Sequence, residues 1–419
     1  MRKVMIGLLA PLLIAGQAAP TGQIDSAALP GGGKWSAHVP PKWNGTLLLW
    51  SRGYSPTPQV SDAASPAHRQ ALLDAGYALV GSDYGSGGWA LAEAVPAQRA
   101  AVDAFTRKFG KPKRVIGWGF SMGGLVTTAL AEQRPTAIDG ALSVCSSMAG
   151  AVGMMNMALD GAFSFRTLVA PDVGIELVNT QDDRANGARA QKALEGAMQT
   201  PQGRARIALS AVLGGLPGWT TPEDLEPAAC DYDGQVTQMA KTFVMGIMLP
   251  RQDQEGRAGG PFSWNTGIDY RAQLARSGRL DMVQALYRKA GLSLDKDLAT
   301  LAAAPRIAAK PQAVAYMKAH YTPNAKPSVP LLAVQAIGDG QTSPSLQSGY
   351  FDAAKGKDVR SLWTRSAGHC RIAPEVIVSA VEQVRVRLES GRWPKPGAQF
   401  VPHTPAPMLR PCIRGKGCR

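Results

Sequence analysis

Gly119-Phe120-Ser121-Met122-Gly123 sets one serine between two glycines, where the apolar segment "RVIGWG" gives way to the amphipathic "LVTTALAEQR". This is the pattern G-x-S-x-G, which does chemistry when it lies on a sharp strand-to-helix turn. Glycines two positions either side suit a turn too tight for side chains. The helix that starts there aims its N–H groups and positive dipole end at the serine. The competing reading is an ordinary serine at a helix start, with glycines for close packing. A neutral hydroxyl is a poor nucleophile, so the first reading requires a base and an acid elsewhere in the chain.

Five histidines are available for the base: His38, His68, His320, His369 and His403. His38 and His68 precede the serine, His320 falls in a helical stretch, and His403 lies in a Pro-rich tail where nothing rigid is expected to hold it. His369, in "SAGHCRIAPE", directly follows the last expected strand and is the expected base. Asp339, in "AIGDGQTSP", stands just past another strand between Gly338 and Gly340. It is the expected acid that holds the imidazole in one tautomer and stabilises the imidazolium. Asp352 and Asp358 belong to the helix and strand that follow. The remaining need is an oxyanion hole. Its expected donors are the backbone N–H groups of Met122 and of Tyr54, the latter in the loop "SRGYSP", where Gly53 lets the backbone come close.

These residues are useful only if the elements between them bring them together. "GTLLLW", Tyr77 to Asp83, "KRVIGWG", "GALSVCSS", Val329 to Asp339 and Asp358 to Ser366 read as strands, most of them short apolar runs bounded by turn residues. Helical patterns separate them, including "PAQRAAVDAFTRKFG", with Pro96 expected at its start and Gly110 past its end. Strand and helix alternate as in a parallel α/β sheet. The alternation is interrupted between about 154 and 325 by a mostly helical stretch and then resumes. The expected division is an α/β core over 19–153 and 326–395, a helical cap insertion over 154–325, and a Pro-rich tail over 396–419.

Composition fits this picture. A chain of 419 residues that is 45% hydrophobic and 18% charged buries a sizeable core. The net charge of +14 is scattered, with no run of five Lys or Arg and no nucleic-acid motif, so it reads as a solvated basic surface. "MRKVMIGLLAPLLIAGQAAP" has two cations, an apolar run too short to span a bilayer comfortably, and small residues at Gly16 and Ala18. It is read as a signal peptide cut near Ala18, so that the mature chain is exported, to the periplasm or beyond, with no transmembrane segment. Export permits disulfides. Of the five cysteines, Cys412 and Cys418 are close enough to pair locally, an odd count leaves at least one free, and further connectivity is not readable.

With "GTLLLWSRGYSP", "GYALVGSDYGSGGW", "GWGFSMGG", "DGALSVCSSMAG", "IGDG" and "AGHCRIAPE", the sequence resembles the α/β-hydrolase superfamily, and within it exported bacterial esterase- or lipase-like members. The chain order Ser121, Asp339, His369 is the order of that superfamily. The resemblance implies a mostly parallel eight-stranded sheet and a helical insertion placed as a cap over the site. One departure is Arg52-Gly53 where the oxyanion loop commonly reads His-Gly. The expected reaction is hydrolysis of a small or polymeric carboxylic ester through an acyl-enzyme on Ser121, with no metal or organic cofactor required. A serine peptidase or amidase using the same residues is the alternative, and a non-catalytic binding protein on the same scaffold is the alternative from another class. Met148, Met154, Met155 and Met157, with Phe163 and Phe165 behind them, suit either a greasy acyl pocket or plain core packing.

Overall fold

In the computed structural model, which describes residues 22–356 and 358–418, the chain alternates strand and helix around one sheet. The strands are β1 (Gly22–Ala28), β2 (Lys34–Val39), β3 (Thr46–Ser51), β4 (Ala78–Ser82), β5 (Arg114–Phe120), β6 (Gly140–Val144), β7 (Leu331–Gly338) and β8 (Val359–Ala367). Helices α1 (Pro66–Asp74), α2 (Leu91–Phe109) and α3 (Met122–Ala131) fall between the earlier strands. The strands form an eight-stranded sheet in the order β1-β2-β4-β3-β5-β6-β7-β8. Only β2 runs against the rest, pairing antiparallel with both β1 and β4, while every pair from β4 to β8 is parallel. β3, β4 and β6 are buried along their whole length, as strands covered on both faces must be.

Between β6 and β7 the described chain is helical. It runs through α4 (Ala151–Leu168), α5 (Asp183–Ala197), α6 (Pro201–Leu213), α7 (Tyr232–Ile247), α8 (Gln252–Ala258), α9 (Tyr270–Arg276), α10 (Leu280–Lys289), α11 (Leu294–Ala303) and α12 (Pro311–Tyr321). Much of this region has its own apolar cluster, built on Phe163, Phe165, Ile207, Phe243 and Tyr287. The four methionines and both phenylalanines near its entry are buried in the two neighbouring clusters, which is the packing role. α13 (Pro344–Ala353) and α14 (Pro374–Ser390) complete the core, and a short hairpin, β9 (Cys412–Ile413) with β10 (Gly417–Cys418), ends it.

Three details differ from the sequence expectations. Helix α2 begins at Leu91, so Pro96 lies inside it rather than at its start. Burial of Leu91 and Ala94 and an ion pair from Glu93 to Arg257 hold the additional turn despite the missing N–H. β1 is a mostly exposed edge strand whose polar sequence gives no apolar signal. The Pro-rich tail is tied down: Val401 bridges to Trp363 of β8, and the His403 ring lies 5.3 Å from that indole. Further along, Arg410 is fully buried and pairs at 2.7 Å with Asp160 of α4. The expected leader, residues 1–18, lies outside the described residues. Among the described residues no helix is long and apolar enough to cross a membrane.

Candidate active site

The parallel strands β3, β5, β6, β7 and β8 deliver Arg52, Ser121, Cys145, Asp339 and His369 to one edge of the sheet, just past their C-terminal ends. That edge is where open α/β sheets bind ligands. Ser121 occupies the tight turn between β5 and α3, with φ 56° and ψ −124°. Such a backbone costs about 1–3 kcal/mol and persists only where its surroundings over-determine it. Here the Ser121 N–H donates to the Val144 carbonyl at 3.1 Å, and both flanking glycines are crowded. A Cβ on Gly119 would lie 2.4 Å from the Gly123 carbonyl oxygen, and one on Gly123 would lie 2.0 Å from that of Ser51. The backbone of β3 and its loop therefore presses directly on the serine turn.

Three side chains form a continuous hydrogen-bonded line. His369 Nε2 is 3.0 Å from Ser121 Oγ, and its Nδ1 is 2.9 Å from Asp339 Oδ2 and 3.1 Å from Oδ1. An ionised carboxylate only accepts, so Nδ1 carries the proton, Nε2 of the neutral ring accepts, and the Ser121 hydroxyl donates to it. Asp339 is fully buried. Its charge is met by the N–H groups of Gln341 and Thr342, each at 2.9 Å, and by the Thr342 hydroxyl at 3.0 Å from Oδ2. That hydroxyl is also 2.8 Å from the Cys145 carbonyl. Its single proton serves one acceptor at a time.

Two features here were not read from the sequence. Cys370, the residue after His369, is disulfide-bonded to Cys145 at the end of β6. The signal was present, since Cys145 directly follows β6 and Cys370 lies three residues past β8, but 225 residues separate them and the strand order was needed to bring them together. Cys412 and Cys418 also form a disulfide, and Cys230 is free and exposed. The second feature is Thr342, whose amide and hydroxyl line the Asp339 carboxylate. His68, set aside as preceding the serine, is buried in α1. One of its ring nitrogens lies 2.9 Å from the carbonyl oxygen of Ile372 in the His369 loop.

The loop after β3 faces the serine. A Cβ on Gly53 would lie 3.4 Å from Ser121 Cβ. Neither the N–H of Met122 at the start of α3 nor that of Tyr54 makes a hydrogen bond among the described residues. Arg52 does not occupy the place of a catalytic side chain. Its guanidinium donates to the Gly53 and Asp83 carbonyls at 3.1 and 3.2 Å and to that of Ser86, and lies 4.4 Å from the centre of the Tyr84 ring. Burial pushes its pKa down. The half-buried Tyr54 phenol is pushed up by burial and by the carboxylates of Asp253 and Asp183.

A cavity of about 350 Å³ is lined by residues of α2 and α3, and another of about 820 Å³ lies between the helical region, β7 and the tail. Neither is lined by Ser121 or His369. Among the described residues no cluster of His, Cys, Asp and Glu is arranged to hold a metal ion.

Sheet order, strand directions and the serine turn define an α/β-hydrolase. Within that superfamily the chain belongs to the tannase-like family of unknown function, whose model matches residues 25–354, and its class is that of a hydrolase. It is 28% identical over 404 residues to an o-phthalyl amidase of Xanthobacter agilis, covering 87% of each chain. Among solved structures it is similar to feruloyl esterase B of Aspergillus oryzae, at 14% identity and a TM-score of 0.43, covering 91% of this chain and 83% of that one. An esterase from Aspergillus oryzae is similar at 13% identity and a TM-score of 0.41, covering 88% and 80%.

Proposed function

We propose that the protein hydrolyses carboxylic esters by two-step acyl transfer through Ser121. The observation that carries this reading is His369, hydrogen-bonded to Ser121 on one nitrogen and to the buried Asp339 on the other. In the first step Ser121 Oγ bonds to the ester carbonyl carbon as its proton passes to His369 Nε2. The Met122 and Tyr54 N–H groups take the negative charge that develops on the carbonyl oxygen. Asp339 stabilises the imidazolium, which then protonates the departing alkoxide as the C–O bond breaks. A water activated by the same imidazole attacks the acyl-enzyme and restores Ser121. No step draws on a metal or an organic cofactor.

The similarity to an o-phthalyl amidase favours a second reading, in which the acyl donor is an amide. The chemistry differs only in the leaving group, whose nitrogen needs the proton from His369 more than an alkoxide does. Matched p-nitrophenyl esters and p-nitroanilides of the same acyl series decide between them. Turnover of the ester with no anilide hydrolysis above background supports the ester reading, and anilide hydrolysis that depends on Ser121 supports the amide, because the activated ester is the easier substrate for either enzyme. Turnover of neither, across aliphatic and aromatic acyl groups, contradicts both.

The helical insertion acts, in this reading, as a cap resting on the site. A Cβ on Gly246 of α7 would lie 2.1 Å from the Gly340 carbonyl oxygen beside Asp339, and Pro222 is in contact range of Gly368 beside His369. We place the mature protein outside the cytoplasm, because the Cys145–Cys370 and Cys412–Cys418 bonds belong to an oxidising compartment and the N-terminal pattern fits export. Mass analysis of protein from fractionated cells, with an N-terminus near residue 19 outside the cytoplasm, is the expected result.

A further inference from the structure

We infer that Arg52 and Arg257 are positioning residues that couple the helical insertion to the oxyanion loop, so that docking of α8 sets the orientation of the Tyr54 N–H. The inference rests on the assignment of Ser121 as nucleophile and of Tyr54 as an oxyanion donor.

The loop from Asp83 to Trp89 lies between the two arginines. On its inner side, Arg52 donates to the carbonyls of Asp83 and Ser86 and to that of its own neighbour Gly53. The Gly53 carbonyl belongs to the same peptide unit as the Tyr54 N–H. Fixing that oxygen fixes the direction of the N–H, because the unit is planar. The Tyr84 hydroxyl in turn donates to the Arg52 carbonyl at 3.1 Å, while its ring underlies the guanidinium. Tyr84 is buried and holds a left-handed backbone at φ 63°, so the platform is over-determined.

On the outer side, Arg257 of α8 donates to Ser86 Oγ at 3.1 Å and to the Gly87 carbonyl at 2.8 Å. It is itself held by Asp253 at 3.0 Å and Glu93 at 2.6 Å. Asp253 also accepts from the Trp89 N–H at 2.7 Å, and a Cβ on Gly88 would lie 2.4 Å from its carboxylate. The helix and the loop are therefore bolted together at Ser86, Gly87, Gly88 and Trp89. Ser86 is common to both arginines: its carbonyl is bound by one and its hydroxyl by the other. An unbranched cation could not span these acceptors, whereas a guanidinium fork can.

The test compares wild type with Arg52→Met, Arg257→Met, the double variant and Arg52→Lys. It records kcat and KM on the best ester or anilide and the affinity for a boronic acid that forms a tetrahedral adduct. Active-site titration corrects for unfolded protein. A donor displaced by about 1 Å costs about a hundredfold in rate. The expected result is a kcat lower by tenfold to a hundredfold in each single variant, with KM within threefold and boronate affinity falling in parallel. Arg52→Lys recovers only part of this, and the double variant loses less than the product of the singles because both act through Ser86. Should Arg257→Met not fold, Arg257→Lys replaces it with the same expectation. Unchanged kcat per titrated site in the Arg257 variants, or a loss confined to KM, overturns the inference. An active Ser121→Ala variant would instead remove the reading beneath it, which separates the two failures.

Discussion

Cys370 is bonded to Cys145, so the residue that follows His369 is covalently fixed to the end of β6, one strand removed from β8 across β7. The Cys145 carbonyl also accepts from Thr342, which lines the Asp339 carboxylate. One short segment therefore touches the supports of both the histidine and the aspartate.

Breaking this bond should affect catalysis as well as stability. The double variant Cys145→Ser/Cys370→Ser is expected to lose about 2–5 kcal/mol of stability. Its kcat per titrated site should also fall, because His369 is freed at its C-terminal neighbour. Denaturant unfolding and titrated turnover check the two separately; an unchanged kcat would leave the bond a purely structural one.

Gly123 is expected to tolerate no side chain. Gly123→Ala places a methyl group 2.0 Å from the Ser51 carbonyl oxygen, which is backbone and cannot swing away. Overpacking of this kind costs typically about 1–3 kcal/mol. The larger effect should be a displaced Ser121, read as a loss of about a hundredfold in kcat. A variant that folds and turns over normally would mean that the serine turn is softer than its contacts imply.

His68 makes the fold acid-sensitive near the His369 loop. Burial lowers its pKa, and the bond to the Ile372 carbonyl and the Glu375 charge only partly offset this. With Nε2–H donating to Ile372, Nδ1 accepts from the Ser65 hydroxyl, at 3.1 Å. The neutral ring is thus the form that fits. Because the folded value lies below the unfolded one, this contribution to stability is complete above the unfolded value of about 6.5 and is lost as pH falls through the folded value. His68→Gln, which can still donate to Ile372 but does not titrate, should flatten the fall in unfolding midpoint as pH drops below about 6.5. Parallel curves for variant and wild type would contradict this.

The tail is expected to be part of the folded unit. Arg410→Met leaves Asp160 buried beside Tyr270, without its guanidinium partner. Breaking a buried pair in this way costs about 3–5 kcal/mol. Burial already pushes Asp160 up to about 6 against the pull of Arg410 and Tyr270. The loss should therefore be smaller at pH 5, where the carboxyl takes up a proton, than at pH 8. Equal losses at both values would assign the effect to packing alone.

Most of the sheet was legible because strands such as "TLLLWS" and "ALVGS" are buried on both faces and read as apolar runs between turn residues. The placing of Ser121 and Asp339 was legible because each stands directly past such a strand, and that of His369 because it closely follows β8, which is only partly buried. The same logic failed where position depends on partners distant in sequence. β1 is held by backbone pairing with β2 and carries no apolar stripe. Pro96 sits inside α2 because Leu91 and Ala94 find burial and Glu93 finds Arg257, 164 residues away. The role of Arg52 was invisible for the same reason: its acceptors at Asp83 and Ser86 meet it only once β3 and β4 are side by side.

The most direct test of the central claim is intact-mass and peptide analysis after treatment with a fluorophosphonate, on wild type and on Ser121→Ala. The account predicts one adduct per wild-type chain, located on Ser121. It predicts none on the variant, whose turnover should fall by about 10⁴–10⁶. A wild-type protein that takes up no label, or a Ser121→Ala protein that labels or turns over like wild type, would contradict it.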